Sequence, residues 1–157
     1  TANTPQLDGV LIVSTRSYGY AHQTLIPTAY HGCILTRQQD NGTWGNWEWL
    51  NPPMAIGKEY RTMERWQGKP VYTALIYYGK GNTSGNFNIQ VRNVSGTNVK
   101  FIDAFCKAEQ ASNGWGLNLD RYLTYGEYGS DNAVYVVTHN SDLSKHDIYL
   151  TVKYYKV

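Results

Sequence analysis

The chain has 157 residues, enough for one domain or for a small and a medium unit sharing a core. Its 14 Lys and Arg are scattered among 12 Asp and Glu, so the concentrated field that gathers nucleic acid or anionic lipid is missing. No apolar stretch approaches the roughly 20 residues that span a bilayer, and no basic segment followed by an apolar one marks a signal peptide.

Aromatic content is high, with 14 Tyr, 5 Trp and 3 Phe. Tyr and Trp are stiff and amphipathic, which suits strands and binding surfaces. The two cysteines, Cys33 and Cys106, read as buried free thiols, with a single bridge between them as the alternative that a chain of this length does not need.

Helical periodicity is weak throughout, and period-two alternation is common. Residues 9–14 predict a strand, with Val10 and Ile12 on one face and Leu11 and Val13 on the other. Residues 32–36 and 47–50 predict two more. Pro52-Pro53 then interrupts the pattern, because proline removes a donor and constrains its predecessor. The domain boundary is placed there: a small β unit at 1–51 and a β-sandwich at 52–157. Val71, Thr73, Leu75 and Tyr77 alternate with Tyr72, Ala74, Ile76 and Tyr78, the pattern of a strand buried on both faces. Residues 86–106 read as a hairpin, turning at Ser95-Gly96-Thr97-Asn98. Residues 133–138 and 147–155 are the last strong strands, and Ile148, Leu150, Val152 and Tyr154 share a face. Segments 79–85, 111–116 and 126–132 are rich in turn residues. The fold class expected is all-β: an antiparallel β-sandwich preceded by a small β unit.

Trp44, Trp47 and Trp49 form the densest aromatic cluster. Trp47 and Trp49 share a face on a strand, as in sugar-binding platforms, or else they close the small unit's core. Asn113, Trp115, Tyr125, Tyr128 and Asp131 fall in turn-rich segments on a sheet scaffold, where binding concentrates. Together with Trp49 they are the candidate ligand-binding residues. Tyr18, Tyr20 and Tyr30 share the ambiguity between packing and binding. His31 and Cys33 do not make a metal site, since two ligands are too few. Glu59 and Glu64 are close in sequence, but nothing marks one as desolvated while the other stays ionised. No nucleophile elbow or phosphate loop appears. Neither catalytic residues nor metal ligands are therefore assigned, and no cofactor is expected.

Two stretches carry a family resemblance. Asn41-Gly42-Thr43-Trp44-Gly45-Asn46-Trp47-Glu48-Trp49-Leu50 resembles the closing W-x-x-W of the knob domains in pyocin-type and other tail fibres. Glu59-Tyr60-Arg61-Thr62-Met63-Glu64-Arg65-Trp66-Gln67-Gly68-Lys69-Pro70-Val71-Tyr72-Thr73 resembles the carboxy-terminal head domains of phage and prophage tail fibres. The final strand, Tyr149-Leu150-Thr151-Val152-Lys153-Tyr154, is similar to the same heads. It departs at Tyr155, where such chains carry a small polar residue. Residues 80–132 show no match.

The resemblance implies a receptor-binding tip rather than an enzyme: a homotrimer at the end of a virion's tail fibre, outside the cell. Its partner would be a bacterial surface glycan or surface protein, with neither nucleic acid nor membrane insertion involved. A carbohydrate-binding module of a secreted protein fits the Trp and Tyr content equally well. A glycan-cleaving enzyme is the third reading and would need paired carboxylates in a cleft.

Overall fold

The computed structural model describes residues 5–83, 86–91, 95–96, 98–110, 116–119, 123–128, 131–137 and 142–157. The chain is all-β, and among the described residues no helix is long and apolar enough to cross a membrane. Two compact units form, one from Thr1–Pro53 with Tyr60–Arg65, the other from Met54–Glu59 with Trp66–Val157.

The first unit holds β1 (Gly9–Ser17), β2 (Tyr20–Pro27), β3 (Leu35–Asp40), β4 (Thr43–Trp44), β5 (Glu48–Trp49) and the 60–65 part of β6 (Glu59–Trp66). The strands lie in the order β1-β2-β3-β5-β6, with β4 beside β3. Pairing is antiparallel except between β5 and β6, which run parallel with Trp49 opposite Thr62. Leu25, Leu35, Trp49 and Thr62 lie opposite one another across four strands, and with Tyr60 they make the inner face. Leu25, Leu35, Tyr60 and Thr62 are buried there, as is Cys33 nearby.

Two expected strands are shorter than the alternation suggested. The one at 32–36 begins only at Leu35, because Gly32 adopts φ 77° in a turn where the Cys33 amide donates to the Tyr30 carbonyl. The one at 47–50 shrinks to Glu48–Trp49, because Trp47 turns aside to pack on Arg37.

The second unit contains β7 (Lys69–Lys80), β8 (Asn86–Gln90), β9 (Val99–Gln110), β10 (Gly116–Asn118), β11 (Leu123–Tyr128), β12 (Asp131–Val137) and β13 (His146–Lys156). One sheet orders them β7-β13-β9-β10 and the other β11-β12-β8, with every one of these pairings antiparallel. The sheets share one core. Ala74, Ile76, Cys106, Ile148, Leu150, Val152 and Tyr154 come from the first, and Ile89 and Val134 from the second. This is the expected antiparallel sandwich. The predicted face of β13 is fully buried, with Ile148, Leu150, Val152 and Tyr154 all at 0% exposure.

The hairpin expected at 86–106 does not form. β8 pairs with β12 and β9 with β13, so the chain crosses from one sheet to the other between them. Ser95 lies in that crossing and is buried, its amide bonded to the Val91 carbonyl at 3.1 Å. The turn-rich segment at 126–132 is also corrected: Tyr128 pairs with Asp131, and both flanks are strands.

Two bulges set which side chains point inward. Between Asp103 and Phe101 the register with β13 slips by one residue, so Val99 and Phe101 pack inward before it and Ala104, Cys106 and Ala108 after it. In β7 the slip falls at Tyr78, next to Gly79 at φ 110°, a conformation that suits glycine.

Candidate functional site

The polar face of the first unit's sheet forms a cleft of about 450 Å³. Its lining follows from strand periodicity. His22 lies opposite Gln38, Thr36 lies opposite Glu48, and Glu48 is level with Arg61 because Trp49 pairs with Thr62. Arg61, Met63 and Arg65 then recur every second residue along β6, all on the cleft side.

Glu48 organises this face. Its side chain is only 13% exposed, and an ionised carboxylate so placed needs cationic partners. Arg61 Nε donates to Oε1 at 2.8 Å, and Arg65 Nη2 donates to Oε1 and Oε2, both at 2.7 Å. Arg65 Nη1 also donates to the carbonyls of Thr62, Met63 and Glu64 at 3.3, 3.2 and 3.0 Å. His22 Nε2 and Thr36 Oγ1 are hydrogen-bonded across the strands.

Arg37 borders the cleft and is held on its other side. Its guanidinium carbon lies 4.5 Å from the ring centroids of both Trp44 and Trp47, so the W-x-x-W pair clamps a cation between two indoles. Its Nε donates to Gln23 Oε1 at 2.8 Å, directly across the ladder. Burial pulls the guanidinium below its ordinary pKa. Gly45 closes the loop between the two Trp residues, its amide donating to the Gln38 carbonyl at 2.8 Å.

Among the described residues, the candidates from sequence fall in both units: Trp49 in the first, and Tyr125, Tyr128 and Asp131 on one pair of strands in the second. Trp49 lies on the inner face, edge-on to Tyr30 at 6.2 Å and to Tyr60 at 5.5 Å, away from the cleft. Trp47 and Trp49 thus enter different clusters. Tyr18 is fully exposed beside the β1–β2 turn, and Tyr20 is exposed at the start of β2. Asn113 and Trp115 lie outside the described residues. For Tyr125, Tyr128 and Asp131 the description is of the backbone, which places them in β11 and β12 of the second unit. The arginine cleft was missed, although its signal was present: Arg61, Met63 and Arg65 at period two, and Glu48 out of phase with Trp47 and Trp49.

No protein-family model matches the chain, and no curated protein matches it. Among solved structures it is similar to an N-truncated R2-type pyocin tail fibre, at 10% identity and TM-score 0.28, over 92% of this chain and 81% of that one. It is also similar to a P. aeruginosa R1 pyocin fibre comprising C-terminal residues 323–701. There the identity is 9% and the TM-score 0.25, over 94% of this chain and 57% of that one.

Proposed function

We propose that this chain is the receptor-binding head of a tail fibre, a homotrimer at the tip of a virion that attaches it to a bacterial surface glycan or surface protein. It acts by binding and performs no catalysis. The observation that carries this reading is β1. Val10, Leu11, Ile12 and Val13 are 59%, 50%, 52% and 51% exposed, so an apolar strand is open on both faces at once. It is also the edge of its sheet among the described residues. An open apolar edge strand invites association, and a soluble protein uses it in an interface or suffers aggregation.

A second copy of this chain is the occupant that fits. Two open faces on one strand take two neighbours, one on each side. A heterologous ring supplies this, whereas a two-fold dimer covers a single self-complementary patch. Three copies also turn weak single-site sugar contacts into firm attachment. The sequence resemblance of residues 59–73 to tail-fibre heads agrees with this arrangement.

The test is the mass of the purified chain by light scattering, together with binding of a fluorescent form to a panel of bacterial strains. A mass of three chains with binding confined to certain strains supports the reading. A monomer that binds a simple polysaccharide broadly makes it a carbohydrate-binding module instead. Release of reducing ends from a bound glycan would overturn the absence of catalysis.

A further inference from the structure

Three arginines line the cleft, and their surroundings differ. Arg65 is saturated, with one terminal nitrogen on both Glu48 oxygens and the other on three carbonyls. Arg37 is clamped between two indoles and bonded to Gln23. Arg61 alone combines a fixed plane with spare donors. Its Nε is held on Glu48 at 2.8 Å, while its terminal nitrogens have no acceptor among the described residues. Its side chain is 27% exposed and lines the cleft.

We propose that this cleft binds an acidic saccharide, with the sugar carboxylate seated on the terminal nitrogens of Arg61. The proposal deepens the receptor-binding reading above and rests on it only for its biological setting. A guanidinium offers two parallel N–H donors that match the two oxygens of a carboxylate, and here Glu48 holds that fork in place before the ligand arrives. Glu48 does not repel the incoming anion strongly, because two guanidinium groups already neutralise it. The field favours an anion, with Arg37, Arg61 and Arg65 against one carboxylate on a chain of net charge only +2. Gln38, Asn46 and His22 surround the position with neutral donors and acceptors suited to ring hydroxyls. A volume of about 450 Å³ lies in the range of small-ligand clefts.

The deciding experiment titrates the isotope-labelled full chain with methyl glucuronide, methyl glucoside and inorganic phosphate, following the Arg61 Nε–H resonance and the Asn46 and Gln38 side-chain amides. The glucuronide should shift all three groups, the glucoside should leave Arg61 unmoved, and phosphate should bind more weakly than the glucuronide. Arg61→Gln should weaken glucuronide binding about tenfold or more, the usual scale for losing a charge-assisted pair. Arg65 remains on Glu48, so thermal unfolding of that variant should stay close to wild type. Should it fail to fold, the three wild-type titrations decide alone. Equal binding of glucuronide and glucoside overturns the proposal, as does phosphate binding as tightly as the glucuronide, or no shift at Arg61. The strain panel separates the two readings. A chain that titrates with glucuronide yet attaches to no cell keeps the cleft and loses the fibre-head function. A chain that attaches to cells without an Arg61 response does the reverse.

Discussion

Glu59, to which no catalytic role is assigned, has a structural one in the fold. Its carboxylate accepts from the Tyr154 hydroxyl at 2.5 Å and from the Lys156 ammonium at 2.6 Å. The same ammonium lies 4.5 Å from the centroid of the Tyr72 ring, which stacks on Tyr154 at 6.1 Å. The result is a polar tie at the end of an apolar strand, made by side chains 95 residues apart. Burial, followed by the hydrogen bond to Glu59, raises the Tyr154 pKa far above its ordinary 10.0. Below about pH 10 the hydroxyl is protonated in both folded and unfolded chains, so its contribution is fully present. As pH rises further, only the unfolded chain ionises there, and stability falls. Tyr154→Phe should cost about 1.5–3 kcal/mol at neutral pH by urea unfolding, the net worth of one buried hydrogen bond to a charged group. Its stability should also fall less steeply than wild type above pH 10. An equal slope in the two proteins would show that Tyr154 ionises freely in the fold.

At the scale of elements, the turn from β6 to β7 is the most specific local device. Gln67 and Gly68 link Trp66 to Lys69, with φ of 49° and 77°. Positive φ at both central positions defines a type I′ turn, whose twist matches the strands it joins. Asn enters that first position more readily than Gln, so Gln67→Asn should raise stability by about 0.5 kcal/mol, read as a higher urea midpoint at unchanged slope. A lower midpoint would mean that the Gln67 side chain makes a contact worth more than the backbone preference. This turn was hard to see in the sequence, because Gln-Gly is a weaker hairpin signal than Asn-Gly. What was legible is what depends on local periodicity: the strands at β1, β7 and β13, and the shared face of Ile148, Leu150, Val152 and Tyr154. Strand pairing is non-local, so nothing in residues 86–106 revealed that β8 would join β12 while β9 joined β13. Bulges hide in the same way, since the slip after Phe101 reverses the inward phase without any change in composition. The cleft failed for a related reason. Arg61 and Arg65 look like an exposed charge run until Glu48, 13 residues before Arg61, is brought level with them by a parallel pairing.

Over the whole molecule, a small net charge coincides with an apolar surface concentrated on one strand. The formal net charge is only +2, so electrostatic repulsion between copies is weak. Against that weak repulsion stands β1, with four consecutive large aliphatic side chains at least half exposed. Covering them in an assembly would gain on the order of 25 cal/mol for each Å² of apolar surface removed from water. Because these side chains contribute little to the interior of their own unit, the interface can be removed without damaging the fold. Val10→Asp combined with Ile12→Asp places two charges on the face opposite Leu11 and Val13, where a neighbouring copy would have to bury them unpaired. The double variant should unfold with a free energy within about 0.5 kcal/mol of wild type when both are compared as monomers, the usual range for exposed positions. Under the proposed trimer, its mass by light scattering should fall from three chains to one, and its retention on cells should drop by orders of magnitude as the multivalent gain is lost. The single-site affinity for glucuronide should stay unchanged, because the Arg61 side chain lies on β6 and takes no part in β1. A variant that kept the mass of wild type would show that β1 faces solvent in the assembled protein, and the oligomer would then have to be built from another surface.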